Sequence, residues 1–364
     1  MTDTGARGPL PSSERWTLLE PILDGAMARE ASARAAYLAG ACGTDASLRD
    51  EVERLIAACE RLERDADYLE QPAVVRFANL WDERLDQARF RAAIGDRYTI
   101  EDELGAGGMA VVYRARDRGG RLVALKVLRA TASAGVAARF RQEIALASQL
   151  SHERIVPVLD SGNVDDRLWY TMPLVDGESL GGRLRRGGLL SIPDALCILR
   201  DIAEALAFAH SRGVVHRDLK PDNVLLADGR AMIADFGVAK AILAASVAED
   251  GIRTSTGATV GTPAYMSPEQ YAGEKSLDHR ADLYALGVIA YEILTGAPPF
   301  SGSSRQALMT AHLAEIPSRA SKRRKEIPAV VDTLVMRLLA KRAIDRPASA
   351  AEVVALLLPV QPRA

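Results

Sequence analysis

One short run in the second half of the sequence has the residue types needed to activate a hydroxyl group for attack on a phosphate. It reads HRDLKPDN over residues 216–223. The carboxylate of Asp218 could accept the proton of a substrate hydroxyl and orient it for in-line attack. Lys220 could stabilise the charge of the transferring phosphoryl group, and Asn223 offers an oxygen ligand suited to Mg²⁺. A chance match to this pattern is improbable, so the run predicts phosphoryl transfer rather than an ordinary charged surface loop.

A second acidic residue, Asp235, opens a DFG tripeptide twelve residues after Asn223. Its carboxylate could bind a magnesium ion where that ion bridges phosphates, and Phe236 is predicted to pack against His216. The tripeptide alone occurs by chance in many chains. The prediction therefore rests on its order and spacing relative to the HRDLKPDN sequence of residues 216–223, the HRD run.

A glycine-rich segment, LGAGGMAVVY over residues 104–113, lies between two β patterns. Glycines let a backbone approach phosphates closely, although glycine clusters more often mark plain turns. A Rossmann loop would open a helix, and a P-loop would need Gly-Lys-Ser/Thr, which is missing here. The strand-like residues that follow favour a hairpin that folds over a nucleotide.

Lys126 lies in the next strand, in the apolar sequence VALKVL. That setting would place its ammonium inside a cleft, where it could bind the α- and β-phosphates; the alternative is an edge-strand lysine that faces solvent. Glu143, in the following predicted helix, is the proposed partner that orients Lys126.

Together these motifs resemble the eukaryotic-like serine/threonine protein kinases of bacteria, a branch of the protein kinase superfamily. The resemblance covers about residues 97–358. It implies transfer of the γ-phosphate of ATP to protein Ser/Thr hydroxyls, with Mg²⁺, or Mn²⁺ in its place. The implied catalytic residues are Asp218, Lys220, Lys126, Glu143 and Thr262, the implied metal ligands are Asn223 and Asp235, and the implied nucleotide-binding residues are Leu104, Gly105, Ala106, Gly107, Val112, Ala124, Lys126, Met172, Pro173, Val175 and Leu225.

The resemblance also assigns roles within the nucleotide pocket. Ala124 and Leu225 should sandwich the adenine, and Met172 should lie at the back of the pocket. The backbone of Pro173 and Val175 should supply the hinge hydrogen bonds. A proline fits at that position because only its carbonyl is needed there.

Three further residues should hold the catalytic parts in place. By the same resemblance, Glu269 should pair with Arg346, and Asp282 should brace the HRD run from below. The chain departs from the family pattern at Ala110, which replaces the third loop glycine, and at Ser267, which replaces the alanine of APE. Neither change removes a charged or metal-binding group.

The segment 238–259 carries several hydroxyl residues and resembles an activation loop. Arg217, beside the catalytic Asp218, is a ready partner for a phosphate on that loop, so we predict autophosphorylation at Thr254 and Thr256. Thr262 resembles the residue that bonds to the catalytic aspartate and lysine in the serine/threonine branch. The alternative is a flexible surface loop whose hydroxyls serve solubility.

The resemblance implies an α+β, two-lobed protein kinase fold, and the sequence pattern before it predicts a small all-α N-terminal extension. The small lobe is an antiparallel sheet with one main helix, predicted around residues 136–150; the larger lobe is mostly helical. The predicted boundaries are a flexible tail 1–13, a helical extension 14–90, a kinase domain 97–358 divided into lobes 97–175 and 176–358, and a tail 359–364. Helices are predicted at 191–211, 278–295, 304–314, 328–340 and 348–358.

The extension shows apolar residues at helical spacing, such as Trp16, Leu19 and Leu23, and a second helix is predicted after Ser47. It resembles helical segments that precede the kinase domain in some bacterial relatives. A stabilising appendage, a homodimer contact and a docking site for a regulator all remain open as its role.

The composition limits the partners and the cellular compartment that we expect for this chain. Lys+Arg 46 against Asp+Glu 48 gives a net charge of −2, which provides no reason to expect a nucleic-acid partner. Three cysteines without a CxxC pair indicate a reducing compartment. Neither a signal peptide nor a run of 18 apolar residues occurs. We therefore expect a cytoplasmic enzyme without a membrane span, whose partners are protein substrates.

Two other classes of function remain as alternatives. A pseudokinase scaffold would recruit partners through the N-terminal helices, but the catalytic set is complete. A small-molecule kinase of similar fold fits the segment 262–269 less well, because that segment resembles a peptide-binding platform. The basic stretch 319–325 is interpreted as a solvated loop, with docking of acidic substrates as the alternative.

Overall fold

The computed structural model divides into two compact units, Met1–Ala92 and Ala93–Ala364. It describes residues 22, 25–26, 29, 31–43, 45, 48–49, 52–53, 56, 89–107, 110–131, 134–164, 166–236, 263–274, 277–302 and 305–359. The predicted tail 1–13 and the helical pattern around Trp16, Leu19 and Leu23 lie outside these residues.

The described part of the first unit is helical, with α1 at Ala31–Ala41. Its buried side chains include Leu38, Cys42, Val52 and Ile56, which form one apolar cluster. The backbone N–H of Leu48 donates to Asp45 Oδ1 at 2.9 Å, so Asp45 caps the next helical segment. The cap predicted at Ser47 falls outside the described residues. Asp45 suits this position because a carboxylate accepts hydrogen bonds from the first N–H groups and is favoured at the positive end of the helix dipole.

The small lobe of the second unit is a five-stranded antiparallel sheet in the order β1-β2-β3-β5-β4. Its strands are β1 Tyr98–Ala106, β2 Ala110–Asp117, β3 Leu122–Thr131, β4 Asp160–Val164 and β5 Arg167–Pro173, and helix α2 is Ala134–Ala147. Phe140 and Ile144 of α2 pack with Leu128 of β3 and Tyr170 of β5. This apolar contact positions α2 against the strands that carry the candidate nucleotide site.

The large lobe contains a small sheet and a set of helices. The sheet has the order β6 Glu178–Ser179, β7 Val224–Ala227 and β8 Arg230–Ile233. The helices are α3 Leu180–Arg185, α4 Ile192–His210, α5 Pro268–Tyr271, α6 Arg280–Thr295, α7 Arg305–Ala314, α8 Ala320–Arg323, α9 Ala329–Leu338 and α10 Ala350–Leu357. Helices α4, α6, α9 and α10 share one core cluster with Phe236 and the strands of the small sheet. The two lobes confirm the predicted fold class.

Sequence signals at helix ends account for several boundaries. Ser191 caps α4 by accepting from Asp194 N at 3.1 Å, as its position before an apolar pattern predicts. Helix α6 ends at Gly296, whose φ of 79° is open to glycine without steric cost. The helices run close to their predicted spans, with ends shifted by at most three residues.

Two local predictions are wrong. The alternating run IVPVLDSGNV over residues 155–164 predicts a strand from Ile155, but β4 begins only at Asp160, because the backbone around Ile155 instead pairs with Ile233 of β8. The basic stretch 319–325, predicted as a solvated loop, contains helix α8; Lys322, Arg323 and Lys325 are exposed, but the Arg324 side chain is only 16% exposed. Its guanidinium donates to the carbonyls of Leu190 at 2.8 Å and Leu294 at 3.2 Å.

No helix in the described ranges is long and apolar enough to cross a membrane.

Candidate active site

Asp282, which is 1% exposed at the start of α6, binds the backbone of the HRD run. Its carboxylate accepts the backbone N–H groups of His216 and Arg217 at 2.8 Å each, and it bonds to His210 Nε2 at 2.8 Å. Burial raises the pKa of Asp282, but the bond from His210 and the other donors outweigh it and hold this pKa below its ordinary value. The predicted brace is confirmed.

Two non-glycine residues at the site adopt left-handed backbone conformations. Arg217 has φ 68° and Asp235 has φ 66°. Such conformations cost about 1–3 kcal/mol and persist only where the surroundings over-determine them. Around Arg217 these surroundings are Asp282, which accepts its N–H, and Gln270, whose Nε2 donates to the Arg217 carbonyl at 2.7 Å. The strain locates the rigid part of the catalytic loop.

Asp218 lies at the centre of a small hydrogen-bonded group. Lys220 Nζ donates to Asp218 Oδ2 at 2.8 Å. Asn223 Nδ2 donates to the backbone carbonyl of Asp218 at 2.8 Å and to Asp218 Oδ2 at 3.4 Å. The Asp218 side chain is 21% exposed, so a substrate hydroxyl could reach its carboxylate. These three residues are near neighbours in the sequence, and in the structure the side chains of Lys220 and Asn223 both bond to Asp218.

The backbone of Ala234 links the HRD run to the DFG tripeptide. Its N–H donates to the Asn223 carbonyl at 2.9 Å, and its carbonyl bonds to His216 Nε2 at 2.9 Å. The rings of Phe236 and His216 lie 4.7 Å apart in an edge-on arrangement, which confirms their predicted contact. These links bring Asn223 and Asp235 to adjacent parts of the same cleft.

Asp235 has a donor on each carboxylate oxygen. Lys126 Nζ donates to Oδ2 at 2.5 Å, and the Tyr170 hydroxyl donates to Oδ1 at 2.5 Å. Burial by itself raises the pKa of Asp235, but the ion pair with Lys126 and the two hydrogen bonds lower it below its ordinary value. Asp235 is therefore an anion that the protein stabilises before any metal ion is present.

Lys126 enters the cleft from β3, where it stands opposite Tyr170 of β5 and Val112 of β2. Its side chain is 21% exposed and its charge is paired, so it is not the edge-strand lysine of the alternative interpretation. Glu143 is half-buried on α2. Its pairing with Lys126 remains a prediction.

An apolar cluster lies beside these charged groups. Its buried members are Ala124, Val156, Met172 and Ala234, and the partly buried Val112, Leu174, Val175, Leu225 and Met232 pack against them. Four of the predicted nucleotide-binding residues, Val112, Ala124, Met172 and Leu225, and the hinge residue Val175 thus share one cluster. Pro173 ends β5, where it stands opposite Val123.

The glycine-rich segment forms the turn between β1 and β2. Gly105 pairs with Val112 and Ala106 with Val111, and the Gly107 N–H donates to the Ala110 carbonyl at 2.9 Å. A Cβ at Gly105 would meet no atom of the described residues within 4 Å. The backbone there therefore borders open space, and Leu104 beside it is 42% exposed.

Glu269 and Arg346 form the predicted ion pair. Arg346 Nη1 and Nη2 donate to Glu269 Oε1 and Oε2 at 2.6 Å and 2.8 Å, and the arginine side chain is 0% exposed. This two-pronged geometry is the strong form of an arginine–carboxylate pair. It fixes the segment around Ser267, which caps α5 through a reciprocal pair of bonds with Gln270.

The oxygen atoms that these side chains offer suit a magnesium ion. Asp235 offers carboxylate oxygens, and Asn223, whose amide nitrogen is engaged by Asp218, keeps its carbonyl oxygen for a metal. Mg²⁺ usually takes one or two protein oxygens and completes its shell with phosphates and water. When bound, such an ion would neutralise phosphate charge between these two residues.

Sequence reasoning missed two contributors to the site. Tyr170 reads as one of several apolar positions in β5, so nothing in its neighbourhood signals a bond to a residue 65 positions away. Gln270 could have been suspected from its place after Ser267-Pro268-Glu269, but its bond to Arg217 depends on the fold. Thr254, Thr256 and Thr262 lie outside the described residues.

Fold and site together define a protein kinase. The family model described as "Protein kinase domain" matches residues 98–356, and the chain belongs to this family. The predicted family is thereby confirmed.

Curated relatives are similar over the same region. The chain is 40% identical over 275 residues to "Serine/threonine-protein kinase PknB" of Mycobacterium leprae, a match that covers 73% of this chain and 43% of that protein. It is 40% identical over 268 residues to "Serine/threonine-protein kinase pkn3" of Myxococcus xanthus, covering 71% of this chain and 48% of that protein. The chain thus matches less than half the length of these relatives.

A solved structure shows the same architecture. The PknI kinase domain of Mycobacterium tuberculosis aligns with a TM-score of 0.55 and 32% sequence identity, over 72% of this chain and 94% of that one.

Proposed function

We propose that this chain is a serine/threonine protein kinase that transfers the γ-phosphate of ATP to Ser and Thr hydroxyls of proteins. The observation that carries the proposal is the single hydrogen-bonded group of Asp218, Lys220 and Asn223, joined through Ala234 to the Lys126–Asp235 pair. The names of the curated relatives support the same activity. The pseudokinase alternative gains no support, because Asp218, Lys220 and Asn223 are present and hydrogen-bonded to one another, as are Lys126 and Asp235.

The site residues take the following roles in this proposal. Asp218 orients the acceptor hydroxyl and accepts its proton, while Lys220 and Lys126 stabilise phosphate charge. Asn223 and Asp235 hold Mg²⁺, for which Mn²⁺ is the alternative. Glu143 orients Lys126, and Thr262 helps to place the acceptor. The apolar cluster around Ala124 and Leu225, with Met172 behind it and the Pro173 and Val175 backbone at its edge, binds the adenine.

Autophosphorylation of the activation segment at Thr254 and Thr256 follows from Arg217. Its Nε is buried and has no hydrogen-bond partner within the described part of the chain. An unpaired guanidinium nitrogen beside the catalytic loop is suited to a phosphate on a neighbouring segment.

The test is mass spectrometry of the purified chain after incubation with ATP and Mg²⁺. We expect phosphate on Thr254 and Thr256 in the wild type and none in Asp218→Asn. The same phosphates on the Asp218→Asn protein would rule out self-modification.

The N-terminal unit is the proposed site of homodimerisation or of regulator binding. Its described part has an apolar core of its own, which supports a folded module rather than a tail. Size-exclusion chromatography with light scattering, on chains with and without residues 1–90, should show a larger assembly only when these residues are present. The same number of chains per particle in both samples would contradict the dimer.

We propose a cytoplasmic location, since ATP is the substrate and the described cysteines, Cys42 and Cys197, are free thiols.

A further inference from the structure

The metal-binding candidate Asp235 has a second partner that its family role does not explain. Tyr170 on β5 is 1% exposed, and its hydroxyl donates to Asp235 Oδ1 at 2.5 Å. Lys126 donates to the other oxygen, Oδ2, also at 2.5 Å. The two donors differ in kind, since one is a flexible lysine needed for phosphates and the other is a rigid phenol.

The phenol ring is fixed by packing. Tyr170 shares a buried cluster with Phe140, Ile144 and Leu168, and its ring centroid lies 6.4 Å from that of Phe140 on α2. Close-packed interiors leave such a ring a single position. Its hydroxyl is therefore a fixed donor that holds Oδ1 in one place, whether or not Lys126 moves.

We propose that Tyr170 is a positioning residue that holds the Asp235 carboxylate in the orientation from which it binds a divalent metal ion. The inference rests on the proposed nucleotide-dependent function. A carboxylate has about four lone-pair sites, so one oxygen can keep a hydrogen bond while the group binds a metal ion. Outer partners of this kind orient metal ligands, and their loss typically costs about 10–100-fold in metal affinity.

Replacement of Tyr170 by Phe removes only the hydroxyl. The ring remains packed on Phe140, but Oδ1 loses its donor and the carboxylate can rotate toward Lys126. Metal binding must then reorient Asp235. The metal ion must also compete with the Lys126 ammonium, which can pair with both carboxylate oxygens. We expect weaker metal binding with little change in metal-free nucleotide binding.

The matched control is Tyr98→Phe in the same sheet. The Tyr98 hydroxyl also donates to a carboxylate, Asp160 Oδ2 at 2.8 Å, on strand β4 rather than in the metal site. Both variants lose one phenol–carboxylate bond. Only Tyr170→Phe should change the metal site.

The experiment is a Mn²⁺ titration of the full chain at saturating ADP, followed by the electron paramagnetic resonance signal of free Mn²⁺. We expect about 10-fold or more weaker Mn²⁺ binding for Tyr170→Phe, and binding within about 2-fold of wild type for Tyr98→Phe. Wild-type affinity in Tyr170→Phe, or an equal loss in both variants, would overturn the inference.

Two further measurements keep the outcomes distinct. Binding of ADP without metal checks that each variant is folded. If Tyr170→Phe fails this check, Tyr170→Met replaces it, because methionine also lacks the hydroxyl and adapts to apolar cores. A wild-type chain that binds no Mn²⁺ with ADP would refute the proposed function and this inference with it.

Discussion

At the scale of single residues, the partly buried pair of Lys126 and Asp235 places a cation and an anion in direct contact within the cleft. The two side chains are 21% and 11% exposed, so solvent screens their interaction only weakly. Phosphoryl transfer depends almost wholly on positioning and charge stabilisation. The pair is therefore the most sensitive point for a single substitution.

We predict that Lys126→Met lowers phosphoryl transfer by at least about 100-fold, because a phosphate-binding cation is lost and Asp235 keeps only the Tyr170 donor. The initial rate of ATP-dependent protein phosphorylation measures this. Lys322→Met, at an exposed lysine on α8, is the control and should retain wild-type activity. Near wild-type activity in Lys126→Met would contradict the assigned role.

HRDLKPDN and DFG are compact motifs whose chemistry follows from residue type, so the sequence alone predicts that Asp218, Asn223 and Asp235 lie at one site. The structure brings these residues together, and their catalytic roles stay predictions. Tyr170 could not be predicted, because its role arises from the register of β3 against β5, which places it opposite Lys126. Periodicity reports that a β5 residue is buried, but it does not report which polar group the hydroxyl meets.

At the scale of elements, two ion pairs of the same chemistry lie in different surroundings. Arg346 and Glu269 are 0% and 11% exposed and join the segment after 267 to the C-terminal helices. Arg337 and Glu352 join α9 to α10 at 3.0 Å, but are 42% and 34% exposed. A pair that is removed from solvent leaves an uncompensated charge when one partner is lost.

We predict that Arg346→Met lowers the free energy of unfolding by about 3–5 kcal/mol, whereas Arg337→Met lowers it by less than about 1 kcal/mol. Urea denaturation at neutral pH, followed by circular dichroism, compares the two. Equal losses in both variants would show that burial does not set the strength of these pairs.

Element boundaries follow from the sequence where a cap or a glycine marks them, as at Ser191 and Gly296. They fail where the backbone has an unexpected long-range partner. The strand predicted from Ile155 is an example, since its first residues pair with Ile233, 78 positions later, instead of extending β4. The prediction for 319–325 fails for a different reason, since the guanidinium of the Arg324 side chain bonds to two carbonyls, of Leu190 and Leu294, that are distant in the sequence.

At the scale of the whole molecule, the large lobe has a buried histidine whose charge state couples folding to pH. His312 on α7 is 1% exposed, bonds to the Tyr284 hydroxyl at 3.0 Å, and lies near the Lys341 ammonium, which donates to the His312 carbonyl at 2.7 Å. Burial, followed by the charge of Lys341, lowers the pKa of His312 from 6.5 to about 4. The folded chain therefore resists protonation that the unfolded chain accepts.

We predict that the wild type loses roughly 3 kcal/mol more unfolding free energy than His312→Asn when the pH falls from 7 to 4. Because the folded pKa lies below the unfolded one, this stabilisation is complete above about pH 6.5 and is lost as the pH falls toward about 4. Urea titrations across this range measure it. Parallel pH profiles for the two proteins would contradict the prediction.

The sequence could not show this feature of the whole molecule. His312 lacks metal-ligand spacing, and its neighbours Tyr284, Phe300 and Lys341 come from three separate parts of the chain. The fold class follows from the motifs alone, because a kinase site requires two lobes. The packing around a single histidine depends on how the helices of the large lobe meet.

The measurement that tests the central claim most directly is phosphate transfer from γ-labelled ATP to a generic protein substrate such as casein, comparing wild type with Asp218→Asn. We expect label on serine and threonine with the wild type, and a rate at least about 100-fold lower with Asp218→Asn, while both proteins bind ADP equally well. Equal rates for the two proteins, or no transfer by the wild type with Mg²⁺, would contradict the assignment of this cleft as a protein kinase active site.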